Sequence, residues 1–156
     1  MEVQRIQLED LDSDQITVGL LRLAANLPDY EFFFNLNRLN SFCFERKDDL
    51  IIQGDYFTYR FPVYEGYSKT QKVCYRLISN KSSESCQLKE ITELFVDEAP
   101  VKALIPHFAD SDFILFSTEL SPDFSVILLP ENLTFHLQHY ELMPHEELFH
   151  IIQYYE

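Results

Sequence analysis

The chain has 156 residues, 46% hydrophobic and 24% charged, with a formal net charge of −14. That composition is globular, and the length predicts a single domain over residues 1–156. The acidic balance repels phosphate backbones and anionic lipid, so neither nucleic acid nor a membrane is expected as a partner.

In chain order, Gln4 to Asp10 alternates and predicts a short strand. Ile16 to Leu23 is an apolar run that suits strand and helix alike. Asn26-Leu27-Pro28-Asp29 reads as a helix start. Asn26 is the expected cap, Pro28 suits the first turn, and Asp29 and Glu31 complement the helix dipole. A helix over about 28–39 then puts Phe32, Phe33, Leu36 and Leu39 on one face. Phe42-Cys43-Phe44 opens a strand towards Arg46. Tyr56 to Val63 alternates, with Phe57, Tyr59, Phe61 and Val63 on one face, and Lys72 to Ser79 places Val73, Tyr75 and Leu77 on another. Ser79 to Cys86 is the longest polar stretch and predicts a loop. Further strands are expected at Ile91 to Val96, Val101 to Ile105, Asp112 to Phe116, Ser125 to Leu129 and Thr134 to Tyr140. A second helix is expected over about 144–155, with Pro144, Glu146 and Glu147 in its first turn and Leu148, Phe149, Ile151, Ile152 and Tyr155 buried. The sum is an α+β fold, a mainly antiparallel sheet with two helices able to cover one face.

Several chemistries lack their residues. Three scattered glycines, Gly19, Gly54 and Gly66, build neither a phosphate loop nor a dinucleotide fingerprint. No Gly-x-Ser-x-Gly elbow is present. No run of about 18 apolar residues occurs to span a membrane as a helix. The opening MEVQRIQLED is acidic and polar, unlike a secretory signal, and Cys43, Cys74 and Cys86 read as free thiols. A cytoplasmic protein is therefore expected. Charge is laid out unevenly, with no Lys or Arg after Lys102 and all five His between His107 and His150.

The segment Ile105-Pro106-His107-Phe108-Ala109-Asp110-Ser111-Asp112-Phe113 carries a resemblance. It resembles the signature of the IPExxxVDY family of bacterial proteins. Ile105, Pro106 and Asp112 match, and Phe113 stands in for the family Tyr. His107 stands where the signature has Glu, and Ser111 where it has Val. Asp29-Tyr30, Leu36-Asn37, Phe44-Glu45-Arg46, Asp48-Asp49-Leu50, Phe61-Pro62 and Leu77-Ile78-Ser79-Asn80-Lys81 follow the family's order, so the resemblance covers roughly residues 5–116. It implies no activity, cofactor or catalytic residue. Physically, Ile-Pro ends strand pairing by fixing one dihedral and removing a donor, so a strand–turn–strand core device is expected. Phe113 and Leu115 then face one side of the second strand, and Asp112, Ile114 and Phe116 the other.

Two functional classes remain. The acidic surface, the aromatic surplus and the lack of a catalytic motif point to a non-catalytic module that binds a protein partner or forms a homodimer. Phe32-Phe33-Phe34 cannot all face inward on one helix, so one is exposed or covers a partner. The alternative is a small-ligand- or metal-binding enzyme using His and carboxylates of the C-terminal third. There, His136 and His139 fall on opposite faces if their segment is a strand and could share a metal if it is a helix, and His145 and His150 are five apart, off the spacing of a zinc-protease helix. No metal or cofactor is assigned. Cys86, near Lys89, is the thiol to test; Cys43 and Cys74 read as buried.

Overall fold

The computed structural model describes residues 15–92, 98–119 and 122–155. The strand expected at Gln4 to Asp10 lies outside them, as does most of the one expected at Ile91 to Val96.

Among the described residues the elements are β1 (Ile16–Leu21), α1 (Asp29–Leu39), β2 (Phe44–Gln53), β3 (Phe57–Ser68), β4 (Val73–Ser79), β5 (Glu84–Gln87), β6 (Phe113–Ser117), β7 (Gln138–Leu142) and α2 (Glu147–Gln153). The strands form one antiparallel sheet in the order β2-β3-β4-β6-β1-β7, with β5 paired to β3. This is the α+β architecture that the patterning predicts.

Central β6 has apolar residues on both faces. Ile114 and Phe116 pack with Val18, Ile78, Leu148 and Phe149, under α2. Phe113 and Leu115 pack with Val73, Tyr75, Phe32, Phe33 and Leu36, under α1. The two helices therefore cover opposite faces, not one. A strand apolar on both sides requires that arrangement, since neither face can be left to water.

Long β3 is where the sheet changes partners. Its first half pairs with β5 (Phe57↔Gln87) and its second half with β4 (Val63↔Ile78). Pro62 sits at this changeover, opposite the register shift between Lys47 and Leu50 on β2. A proline inside a strand needs such a gap, because it has no N–H to give the ladder. The ion pair of Arg46 with Asp49 closes the bulge. Gly66 lies between Phe44 and Tyr75, and an added Cβ would meet the Phe42 and Phe44 rings at 3.1 and 3.2 Å.

Four expectations are corrected at element ends. Asn26 does not cap α1; extended Pro28 precedes the helix, and its carbonyl accepts from Glu31 and Phe32. The helix expected from 144 begins at Glu147, because Glu146 is extended and its carboxylate turns back to the Met143 N–H. The polar stretch after Ser79 is shorter than expected, since Glu84–Gln87 pairs with β3. The strand expected from Thr134 starts later, at Gln138, with only a bridge from Thr134 to Leu23 before it.

Two expected strands are absent. Val101 to Ile105 keeps a single bridge, Lys81↔Ala103. Ser125 to Leu129 is a 3-10 turn (Phe124–Val126) followed by irregular chain. In both, asparagine side chains take the backbone bonds that a strand partner would have taken. The Asn40 Nδ2 donates to the Leu128 carbonyl at 2.9 Å, and the Leu128 N–H donates to its Oδ1 at 2.8 Å. In the other segment the Asn80 Oδ1 accepts from the Ile105 N–H.

Candidate functional site

The signature segment closes around Asn80, which is fully buried. The Ile105 N–H donates to its Oδ1 at 3.0 Å, and its Nδ2 donates to the carbonyls of Phe108 and Ser111 at 2.8 and 3.1 Å. Its own N–H donates to the Asp112 carbonyl, and its carbonyl accepts from Leu104. In place of the expected strand–turn–strand device, a 3-10 turn (Pro106–Phe108) wraps on one amide and leads into β6, with no strand before it. Pro106 opens that turn and is exposed, while Ile105 is buried. The Asp112 carboxylate accepts from the Leu23 N–H at 2.7 Å, fixing the chain beyond β1. Phe113 is buried and stacks on Phe32 with centroids 5.4 Å apart.

The other motif residues also serve the fold. Asn37 exchanges both its amide groups with the backbone of Phe44. The Tyr64 hydroxyl donates to Asp29 at 3.2 Å. Arg46, Asp49 and Pro62 make the β2–β3 bulge described above. Together these residues form a set of structural clasps.

His107 is the signature residue left with chemistry to offer. Its side chain is 54% exposed, and its Nε2 lies 2.8 Å from the Tyr140 hydroxyl. That hydroxyl donates to Glu146 Oε1, whose other oxygen accepts from Met143. The tyrosine proton is therefore committed, and neutral His107 must carry its own proton on Nε2. Its Nδ1 is then an acceptor. Burial and the Glu146 carboxylate push Tyr140 up to about 12. The group borders a cavity of about 300 Å³ lined by residues 102–107 and 145–148, where Lys102 pairs with Glu147 at 3.1 Å.

The remaining histidines do not join it. His136, His139, His145 and His150 are all exposed. Among the described residues no three His, Cys, Asp or Glu side chains converge as a metal site would need. Cys43, expected to be buried, is exposed, and Cys74 is half-buried with its thiol pushed up by burial. That leaves Cys74 a poor nucleophile at neutral pH.

The outer face of α1 is the second candidate. Phe32 and Phe33 are buried, and Phe34 turns outward, 62% exposed. Tyr30, one turn earlier, is 78% exposed. Arg38 lies one turn later, with its guanidinium 5.6 Å from the Phe34 ring centre. Leu39, expected on the face of Phe32, Phe33 and Leu36 and about 140° round the helix from Phe34, is instead exposed at the helix end, where it lines a separate groove with Leu128, Leu129 and Pro130. The Asn40 bonds to Leu128 hold this groove against the end of the helix. The run of three phenylalanines was the legible sign of this face; the groove at Leu128 was not legible, because its segment read as a strand.

No family model, no curated protein and no solved structure matches the chain. No helix among the described residues is long and apolar enough to cross a membrane.

Proposed function

We propose that the chain is a non-catalytic, cytoplasmic protein-binding module and that the outer face of α1 is its docking surface. The carrying observation is the exposed aromatic pair Tyr30 and Phe34, one turn apart on the outer side of a helix whose inner face is fully used by the core. Exposed aromatics of this size, rimmed by an arginine and an asparagine, match the make-up of protein interfaces. The occupant is a different protein with basic groups around its contact. Exposed Glu31 follows Tyr30 on the helix, and two copies of this chain would each bring a net charge of −14 to a homodimer. Like charges of that size oppose self-association, whereas a basic partner is drawn in.

The motif order supports membership of the IPExxxVDY family as part of this proposal. The clasp residues Asn37, Asn80, Asp112 and Phe113 would then mark the family's fold. A second reading is favoured by the His107–Tyr140–Glu146 chain, namely a small ligand held in the adjoining cavity by the His107 Nδ1.

The test compares affinity isolates of the native chain with those of a Tyr30→Ser, Phe34→Ser variant, both from the native host. The docking reading expects a stoichiometric basic protein with the native chain and its loss with the variant. An unchanged isolate, or a second copy of the chain as the retained species, overturns it.

A further inference from the structure

On the face of the sheet opposite α1, a cleft of about 380 Å³ opens beside the end of α2. Its position follows from register. Glu65, Arg76 and Phe116 are direct cross-strand partners on β3, β4 and β6. The Arg76 Nε donates to Glu65 at 3.0 Å. Its guanidinium lies 4.8 Å from the centre of the Tyr155 ring and 6.0 Å from that of Phe116. Phe149 and Ile152 complete the apolar wall.

Arg76 is the one basic residue lining this cleft among the described residues, and its side chain is only 11% exposed. Its two terminal amino groups have no hydrogen-bond partner among the described residues. No fully buried side-chain nitrogen lacks a partner there, so these groups are reached by solvent. Their donors are spare, planar and set against an apolar wall. A guanidinium in that setting recognises a carboxylate in a two-bonded fork.

We infer that this cleft binds an apolar molecule ending in a single carboxylate. Charge selects the monoanion. Glu65 already offsets part of the Arg76 charge, and exposed Glu119 stands at the rim, so a phosphate dianion would lack a second cation. The cleft volume lies in the range of small-ligand sites, with an apolar wall of Phe116, Phe149, Ile152 and Tyr155 facing a polar rim that includes Gln15, Thr17 and Thr118. The inference is independent of the α1 proposal, since the two surfaces lie on opposite faces of the sheet.

The test titrates the full chain with octanoate, 1-octanol and octylammonium, followed by NMR of the Arg76 Nε–H, the Ser117 amide and the Tyr155 ring. Octanoate is expected to shift all three to saturation and to bind about tenfold tighter than 1-octanol, the worth of a charge-assisted pair. A Glu65→Gln, Arg76→Gln variant, which leaves no charge unpaired, should lose that advantage and keep 1-octanol binding. Absence of saturating shifts at low-millimolar octanoate, or equal binding of octylammonium, overturns the inference on the native chain alone.

Discussion

Asn37, Asn40 and Asn80 each lend both ends of the side-chain amide to backbone groups of a distant segment. An amide mimics a peptide unit, so one residue replaces a rung of a sheet where no strand can be placed. Asn80 makes the costliest use of this, because it is fully buried. Asn80→Asp removes the donor to two carbonyls and buries a charge. It should cost about 3–5 kcal/mol, read from urea unfolding. Asn40→Ala, at a more exposed site, should cost about 1–2 kcal/mol in the same measurement. Lys72 is the positive-φ residue outside glycine among those described, at 56°. Lys72→Gly relieves that conformation and should stabilise by up to about 1 kcal/mol. Tyr140 gives a pH signature. Its folded pKa, about 12, lies above the ordinary 10.0. Its contribution to stability is therefore complete below the unfolded value and is lost as pH rises through the folded one. Absorbance titration of the phenols should show Glu146→Gln moving one late transition down towards the ordinary value. An identical titration in that variant would contradict the hydrogen-bonded chain.

At the scale of elements, the alternating runs were legible because burial is one-sided there. Phe57, Tyr59, Phe61 and Val63 all enter one cluster, and Val73, Tyr75 and Leu77 all enter the other. Val101 to Ile105 and Ser125 to Leu129 were misread for a common reason. Apolar runs report burial, and Leu104, Ile105 and Ile127 are indeed buried. Yet their neighbouring backbone groups are satisfied by asparagine side chains from remote parts of the chain, which no local pattern reveals. The helix ends were misread because Pro28 and Glu146 take extended conformations that composition alone does not distinguish from first-turn residues. His107 was legible as a histidine in the turn after Ile105-Pro106, but its partners Tyr140 and Glu146 lie 33 and 39 positions further on and only the fold unites them. Helix α1 separates the two roles of its phenylalanines. Phe32→Ala should cost about 3–5 kcal/mol through the cavity it leaves, while Phe34→Ser should change stability by less than about 0.5 kcal/mol. A comparable cost for both, in thermal or urea unfolding, would deny that Phe34 is free for a partner.

The whole molecule is a sheet shielded on both faces and charged heavily at its surface. Among the described residues the two ends of the strand order are guarded differently. β2 carries charged residues and a bulge, while β7 is short, five residues long. Acidic residues outnumber basic ones by 14, and among the described residues the ion pairs of Arg22, Lys47 and Lys102 lie at the surface. Screening should therefore stabilise the chain, and Tm should rise as sodium chloride is added from low ionic strength. The same charge is what directs the docking proposal away from self-association and towards a basic partner.

The most direct measurement of that proposal places a photo-crosslinking aromatic amino acid at position 34 in the native host, with position 154 as the control. Both side chains are well exposed, Phe34 on α1 and Tyr154 just beyond α2. The account predicts one basic protein joined through position 34 and not through 154. Crosslinks only to a second copy, or the same products from both positions, would contradict it.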